Sequence, residues 1–557
     1  MNRYFISALV VALGLSFSAN AQQQPWTEGE LEEEKVVIVK SRENELPPAN
    51  RSFKKIPPTQ ITSSKDSLQY KYSEPQAQLQ PLEAKMRVVR IKADPPAPYF
   101  TRFVKLGIGN YFAPILLASL SSPQQKSYFY NLQLNHNSAA RGVVDKGNSG
   151  FGESKLQGAG AYVTDKVATN FNAYLERNRY NFYGYLPQDT EPDKSDIKQA
   201  YFGTGAGFTV ATLQQENSKF NAAAGLNIGY VNSSLNLSES RIGVEGKIAY
   251  EISELLALDF KTDMLFSSFN QMDEDAVGRT LVKFQPGVSS QYGAIKLSGG
   301  FNFALVNDFD DNGELKFFPR LQAEIRPTEK IKVYAGFNGD VEPVTYYQLT
   351  QENPWLGDSL EINFTEKTFA FNGGVQAAFG SLGVHAGFEV ASLKNQYLFL
   401  NDSSDISQFQ LVYDRENITR ISFWTQANYS YKDKWKLENT LKLFNYTTDD
   451  LDEAYHLPTV DLNSTFRLNV YDKIYGSVGL NVLSGIKAVD FSGDDPENIS
   501  TITLDPVVKL DLGGEYRFSE QATAFLQFNN LLNRSDSRYL RYPGRKMVVQ
   551  IGGTYAF

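Results

Sequence analysis

Val460–Val470 reads VDLNSTFRLNV, in which apolar and polar side chains alternate except at Ser464. A β-strand turns successive side chains to opposite faces. Val460, Leu462, Phe466, Leu468 and Val470 therefore share one face, and Asp461, Asn463, Thr465, Arg467 and Asn469 the other. Val508–Phe518 repeats the pattern, with Val508, Leu510, Leu512, Tyr516 and Phe518 against Lys509, Asp511, Glu515 and Arg517. A soluble sandwich packs its apolar faces on a second sheet, whereas a membrane barrel turns them to lipid and lines its lumen with the polar ones. Length separates the two. These runs are about twice the usual soluble strand of about 5–6 residues, and long enough to cross a bilayer at a tilt.

Turn chemistry extends the pattern along the chain. One or two polar residues, a lysine and an apolar strand start recur at Thr164–Val167, Thr328–Ile331, Lys432–Trp435 and Tyr471–Ile474, with looser versions at Ser253-Glu254 and Ser519-Glu520. Short turns near Pro123, Glu216, Tyr292 and Ser381 complete a set of ten. Between them lie longer acidic stretches: Gln188–Asp196, Asp273–Asp275, Asp308–Glu314, Asp402–Asp405, Asp449–Glu453 and Asp494–Glu497. Short turns at one end and long polar loops at the other are the asymmetry of a transmembrane, up-and-down antiparallel barrel, and ten turns imply about 22 strands. The expected fold is all-β, with the barrel over 99–557.

The first hundred residues are of another kind. Arg3, the apolar run Phe5–Phe17 and Ala19-Asn20-Ala21 make a secretory signal over 1–21; the run is too short for a spanning helix. Residues 22–98 are rich in Gln, Glu, Lys and Pro and are broken by Pro47-Pro48, Pro57-Pro58 and Pro95-Pro96. With little apolar surface to offset chain entropy, this segment is expected to be extended and periplasmic. Its charged runs Glu30–Glu34 and Arg51–Lys55 would suit a polar lumen, which makes it a candidate for occluding the pore. The chain has no cysteine, which excludes lipid attachment through a thiol, disulfides and thiolate metal sites. A net charge of −9 argues against nucleic acid. The 31 Tyr and 38 Phe suit the aromatic girdles of a barrel. A Gram-negative outer membrane is the expected location, with its lipid and lipopolysaccharide as surroundings.

Ala524–Arg534 (AFLQFNNLLNR), Tyr539, Tyr542-Pro543-Gly544-Arg545 and a last strand ending Gly553-Thr554-Tyr555-Ala556-Phe557 resemble the C-terminus of the TonB-dependent receptors. That resemblance implies a 22-stranded barrel, in agreement with the turns. Met547, Val549, Ile551, Tyr555 and Phe557 form one face of the last strand, and a terminal aromatic there resembles the signal read by the barrel-insertion machinery. The family's folded plug has no counterpart: its arginine-glycine and aspartate-glycine signatures are absent from the residues before Tyr99. Glu32–Val39, with Val36, Val37, Ile38 and Val39, is similar to the short apolar box that TonB engages by strand addition. A generic hydrophobic patch is the other reading.

Motif chemistry is sparse. His136, His385 and His456 lie far apart, and no hydrolase, zinc-protease or phosphate-loop pattern is present, so no catalysis and no cofactor are expected. Asp308, Asp310, Asn312 and Glu314 space oxygen ligands as a calcium loop does, but Pro319 stands where a bidentate Glu belongs; a solvated acidic hairpin tip competes with that reading. The resemblance implies uptake of a bulky solute, with TonB or a surface lipoprotein as partner. The missing plug keeps open a non-transporting scaffold or accessory subunit, and a passive channel.

Overall fold

The fold is that of a computed structural model that describes residues 100–123, 127–186, 192–213, 218–272, 275–310, 312–491 and 500–557. The signal sequence, the Val36–Val39 stretch and the pore-occluding candidate segment lie outside the described residues. From Arg102 to Ala556 the chain forms one 22-stranded antiparallel sheet closed on itself. The first strand, Arg102–Gly109, pairs with the last, Val548–Ala556, in the register Phe103↔Ala556 to Gly109↔Gln550. Reciprocal bonds between the main chains of Arg102 and Phe557, 3.0 and 2.9 Å, fasten the seam at one end. Closure removes the free edges that could not be satisfied in lipid.

The barrel strands range from eight residues at Arg102–Gly109 to seventeen at Asn312–Thr328. Val460–Val470 is a strand with the bounds read from the sequence, whereas its companion runs Val507–Arg517, leaving Phe518 exposed just past its end. The connections alternate as the turn chemistry requires. At one end the strands turn back between Val163 and Val167, Ser253 and Leu256, Tyr292 and Ile295, Thr328 and Ile331, and Phe379 and Leu382. The same end holds the connections Tyr431–Trp435, Val470–Ile474 and Arg517–Ala522, and strands that stop at Ser121 and Thr212 resume at Tyr128 and Phe220. Here Lys432, Tyr471, Asp472 and Gly293 take positive φ, the geometry a tight hairpin requires.

Face assignment follows the alternation. In Ser238–Ser253, Ile242, Ile248, Tyr250 and Ile252 are exposed, while Glu239 and Arg241 point inward. In Val548–Ala556, Ile551 and Tyr555 point out, as does Phe557. Exposed Leu, Ile, Phe and Tyr make an apolar belt around the outside. The lumen instead carries ion pairs, such as Lys283–Asp340 at 3.2 Å, Lys316–Glu366 at 2.7 Å and Arg420–Glu389 at 2.8 Å. Apolar-out and polar-in is the arrangement of a barrel surrounded by lipid.

The hydrophobic core sits neither on the belt nor along the lumen. It lies at the long-loop end, where 343–364, 395–416 and 530–547 fold inward and bring Tyr346, Leu349, Leu356, Leu360, Ile362, Phe399, Phe409, Tyr539 and Tyr542 together against wall residues Tyr201, Val231 and Phe269.

Candidate functional site at the loop end of the barrel

Between Glu342 and Thr365 the two-residue period stops. Pro343 and Pro354 exclude a continuing strand, and Thr345 with Gln348 three residues later supplies a helix start. The helix α1 (Tyr346–Glu352) follows, its Thr345 hydroxyl accepting from the Gln348 N–H. The barrel wall fixes this segment inside the mouth. Glu239 and Arg279, both fully buried, pair at 3.4 Å; Glu239 also accepts from the Tyr347 N–H, and Arg279 donates to the Val344 carbonyl at 2.6 Å. The Arg279 guanidinium also lies 4.4 Å from the centre of the Phe364 ring. Glu176, paired with Lys155 at 3.2 Å, accepts from the Tyr347 hydroxyl and the Gln351 amide. Tyr201 donates to the Pro354 carbonyl, Gln199 to that of Leu356, and the Trp355 indole to that of Asn181.

Two further loops close over it. A two-stranded ribbon, Leu398–Asn401 with Phe409–Val412, meets the first loop where the Phe409 N–H donates to the Trp355 carbonyl and the Gly357 N–H to that of Phe409. The third loop begins within the family-like motif. Asn530 takes positive φ, its N–H donates to Asp511, and its amide donates to the carbonyls of Arg534 and Arg545. Thus tied at both ends, the loop drives Tyr539 and Tyr542 into the mouth. Tyr542 stacks on Trp355 with centroids 3.9 Å apart, meets Tyr183 edge-on at 4.8 Å, and donates to the Ser407 carbonyl. Tyr539 donates to the Glu352 carbonyl, and Tyr397 to the Glu352 carboxylate at 2.7 Å. The phenols of Tyr539 and Tyr542 are held neutral, their pKa raised by burial. His456 lies 5.3 and 5.5 Å from the Phe409 and Tyr539 rings, and burial lowers its pKa to about 4. Burial alone would raise the Asp414 carboxyl; the N–H groups of Leu451, Glu416, Asp450 and Asp449 outweigh it and hold its pKa below the ordinary value.

Two of the calcium candidates fasten the first loop. Asp308 accepts from the Phe364 N–H at 2.8 Å and Asp310 from the Asn363 amide at 2.6 Å, so both hold the returning end of 343–364. Glu314 pairs with Lys316 at 3.3 Å, and Asn312 opens the strand. Among the described residues no group of three or more His, Cys, Asp or Glu is placed to hold a metal. The three histidines stay apart: His136 faces outward, His385 meets the Tyr334 hydroxyl in the lumen at 2.8 Å, and His456 lies in the loops. Sequence reasoning passed over Glu239, Arg279 and the 343–364 loop. The loss of alternation after Glu342 and the Thr345–Gln348 capping pair were the available signals.

No family model and no curated protein sequence matches the chain. Solved structures do. The FrpB iron transporter from Neisseria meningitidis (F3-3 variant) matches with a TM-score of 0.62 at 10% identity, over 83% of this chain and 82% of that one. The siderophore receptor PirA from Acinetobacter baumannii gives 0.61 at 11%, over 82% and 80%. A mutant of the ferric enterobactin receptor PfeA from Pseudomonas aeruginosa gives 0.58 at 11%, over 82% and 80%. The chain is a closed 22-stranded β-barrel that resembles the TonB-dependent outer-membrane receptors in fold.

Proposed function

We propose that this barrel sits in an outer membrane with its short turns and N-terminal segment in the periplasm, and takes up a bulky solute through a mouth kept closed by its own loops. The observation that carries this reading is the mouth. A 22-stranded wall encloses a lumen wide enough to need a plug, and three loops pack over one end of it on a shared aromatic core. A barrel closed in this way admits solute by moving its loops, which suits controlled uptake better than passive leakage. The comparison structures, an iron transporter and two siderophore receptors by name, make iron chelates the first solutes to test. Val36–Val39 is proposed to meet TonB by strand addition, and the outward face of Met547, Val549, Ile551, Tyr555 and Phe557 to be read by the insertion machinery.

Cells whose native iron receptors are deleted would be given this chain and supplied with radiolabelled ferric enterobactin. The expected outcome is accumulation that a protonophore abolishes and that removal of Lys35–Lys40 also abolishes. Accumulation indifferent to both treatments would replace the reading with passive conduction. No accumulation of this or other ferric chelates would leave the scaffold role in its place.

A further inference from the structure

On the outside of the barrel the apolar belt is grooved within Tyr128–Ser233. In consecutive strands the register aligns Leu132, Gly158, Ala173, Ala206 and Ile228 in one row, and Leu134, Leu156, Leu175, Thr204 and Tyr230 in the next row toward the loops. Large side chains at the margins and Gly158, Ala173, Thr204 and Ala206 at the floor leave an apolar groove of about 530 Å³. The row above holds His136, Ser154 and Arg177 before it reaches Phe202, with Arg179 one further step toward the loops. Each step is two residues, about 7 Å along a strand. The imidazole of His136 bonds the hydroxyls of Ser154 at 2.8 Å and Ser138 at 3.1 Å, so polar groups cluster here on the outward face. Arg177, Arg179 and the nearby Lys198 are exposed, and none has an acidic partner among the described residues.

We propose that this face binds the lipid A portion of lipopolysaccharide, with Arg177 and Arg179 on a phosphate and an acyl chain in the groove below. The inference rests on the outer-membrane reading given above, with the loops outside. Two guanidiniums at the loop-side rim, without an acidic partner among the described residues, match a phosphate through charge-assisted, forked hydrogen bonds. A mostly apolar groove directly beneath them matches the hydrocarbon attached to the same headgroup. Lipid A is the lipid of that leaflet that joins phosphate to several acyl chains. A partner protein would more naturally meet an apolar face without exposed cations above it.

The test uses the full chain, purified in detergent, stripped of lipid and examined by native mass spectrometry. Probes are bisphosphorylated lipid A, its dephosphorylated form and phosphatidylglycerol. The wild type should retain bisphosphorylated lipid A about tenfold or more over the dephosphorylated form, the effect of losing one charge-assisted contact. Arg177→Gln with Arg179→Gln should erase that preference. Ala173→Phe, which fills the groove and leaves the cations, should weaken retention of both forms of lipid A. Equal retention by the wild type and the double variant overturns the site. Retention of phosphatidylglycerol equal to that of lipid A overturns the assignment to this lipid. Heat-dependent gel mobility reports whether each variant is a folded barrel. Failure of the outer-membrane reading would show separately, as wild-type chain missing from the outer-membrane fraction.

Discussion

Single residues carry opposite burdens on the two faces of one strand. Leu512 lies midway along Val507–Arg517 and is exposed outward, while Glu515 faces the lumen. Leu512→Arg should cost about 2–4 kcal/mol, because a cation at the bilayer midplane has no water to solvate it. Glu515→Arg should cost about 0.5 kcal/mol or less, as at other hydrated positions. Denaturant midpoints of the barrel in liposomes would measure both, and equal losses would reverse the face assignment. His456 is a residue-scale switch of another sort. The unfolded imidazole binds a proton below about 6.5, the folded one only near about 4. Between these values the unfolded chain binds more protons, so stability is whole above about 6.5 and falls as pH drops toward about 4. At about pH 5 the loss should be about 2 kcal/mol. It is read as the difference between the wild type and His456→Phe in the unfolding midpoint at neutral pH and at that pH; an identical pH response in the two proteins would dismiss it.

At the scale of elements, the 343–364 loop is held by a buried ion pair rather than by sequence-local structure. α1 is too short to persist alone, and its position depends on Glu239 and Arg279. Glu239→Leu leaves the Arg279 charge buried without its partner, which should cost about 3–5 kcal/mol; Glu239→Leu with Arg279→Met should recover most of it. The single variant should also loosen the mouth, raising single-channel conductance in planar bilayers and sensitising cells to large antibiotics. If the single and double variants open alike, the pair does not hold the loop.

For the whole molecule, closure depends on two glycines facing each other across the seam. Gly107 and Gly552 are register partners, and a Cβ on Gly552 would come within 2.0 Å of the Leu106 carbonyl oxygen and 2.6 Å of the Gly107 Cα. Backbone cannot yield there as a flexible side chain would. Gly552→Val should therefore prevent the last strand from joining the first, leaving unpaired edges that lipid does not tolerate. The expected result is loss of the heat-modifiable folded band on gels and loss of protein from the outer-membrane fraction. A normally folded variant would show that the seam adapts.

The sequence by itself determined the barrel. Alternation at Val460–Val470, the lysine turns and the acidic loops are local signals, because side-chain direction in a strand depends only on parity and a tight turn only on a few neighbouring residues. Those signals gave a strand number of about 22, the end asymmetry and the apolar outer face. What closes the mouth could not be read that way. Glu239 and Arg279 lie forty residues apart, and each is an unremarkable charge at an inward position until the fold sets them together beneath α1. Asp308 and Asp310 carry the spacing of a calcium loop, but nothing in that spacing shows that their oxygens accept from Phe364 and Asn363. The same limit applied to Tyr542, whose motif was legible but whose stacking partner, Trp355, comes from a loop on the far side of the sequence. Contacts between distant loops depend on where the closed sheet delivers their ends, and only the tertiary structure decides that.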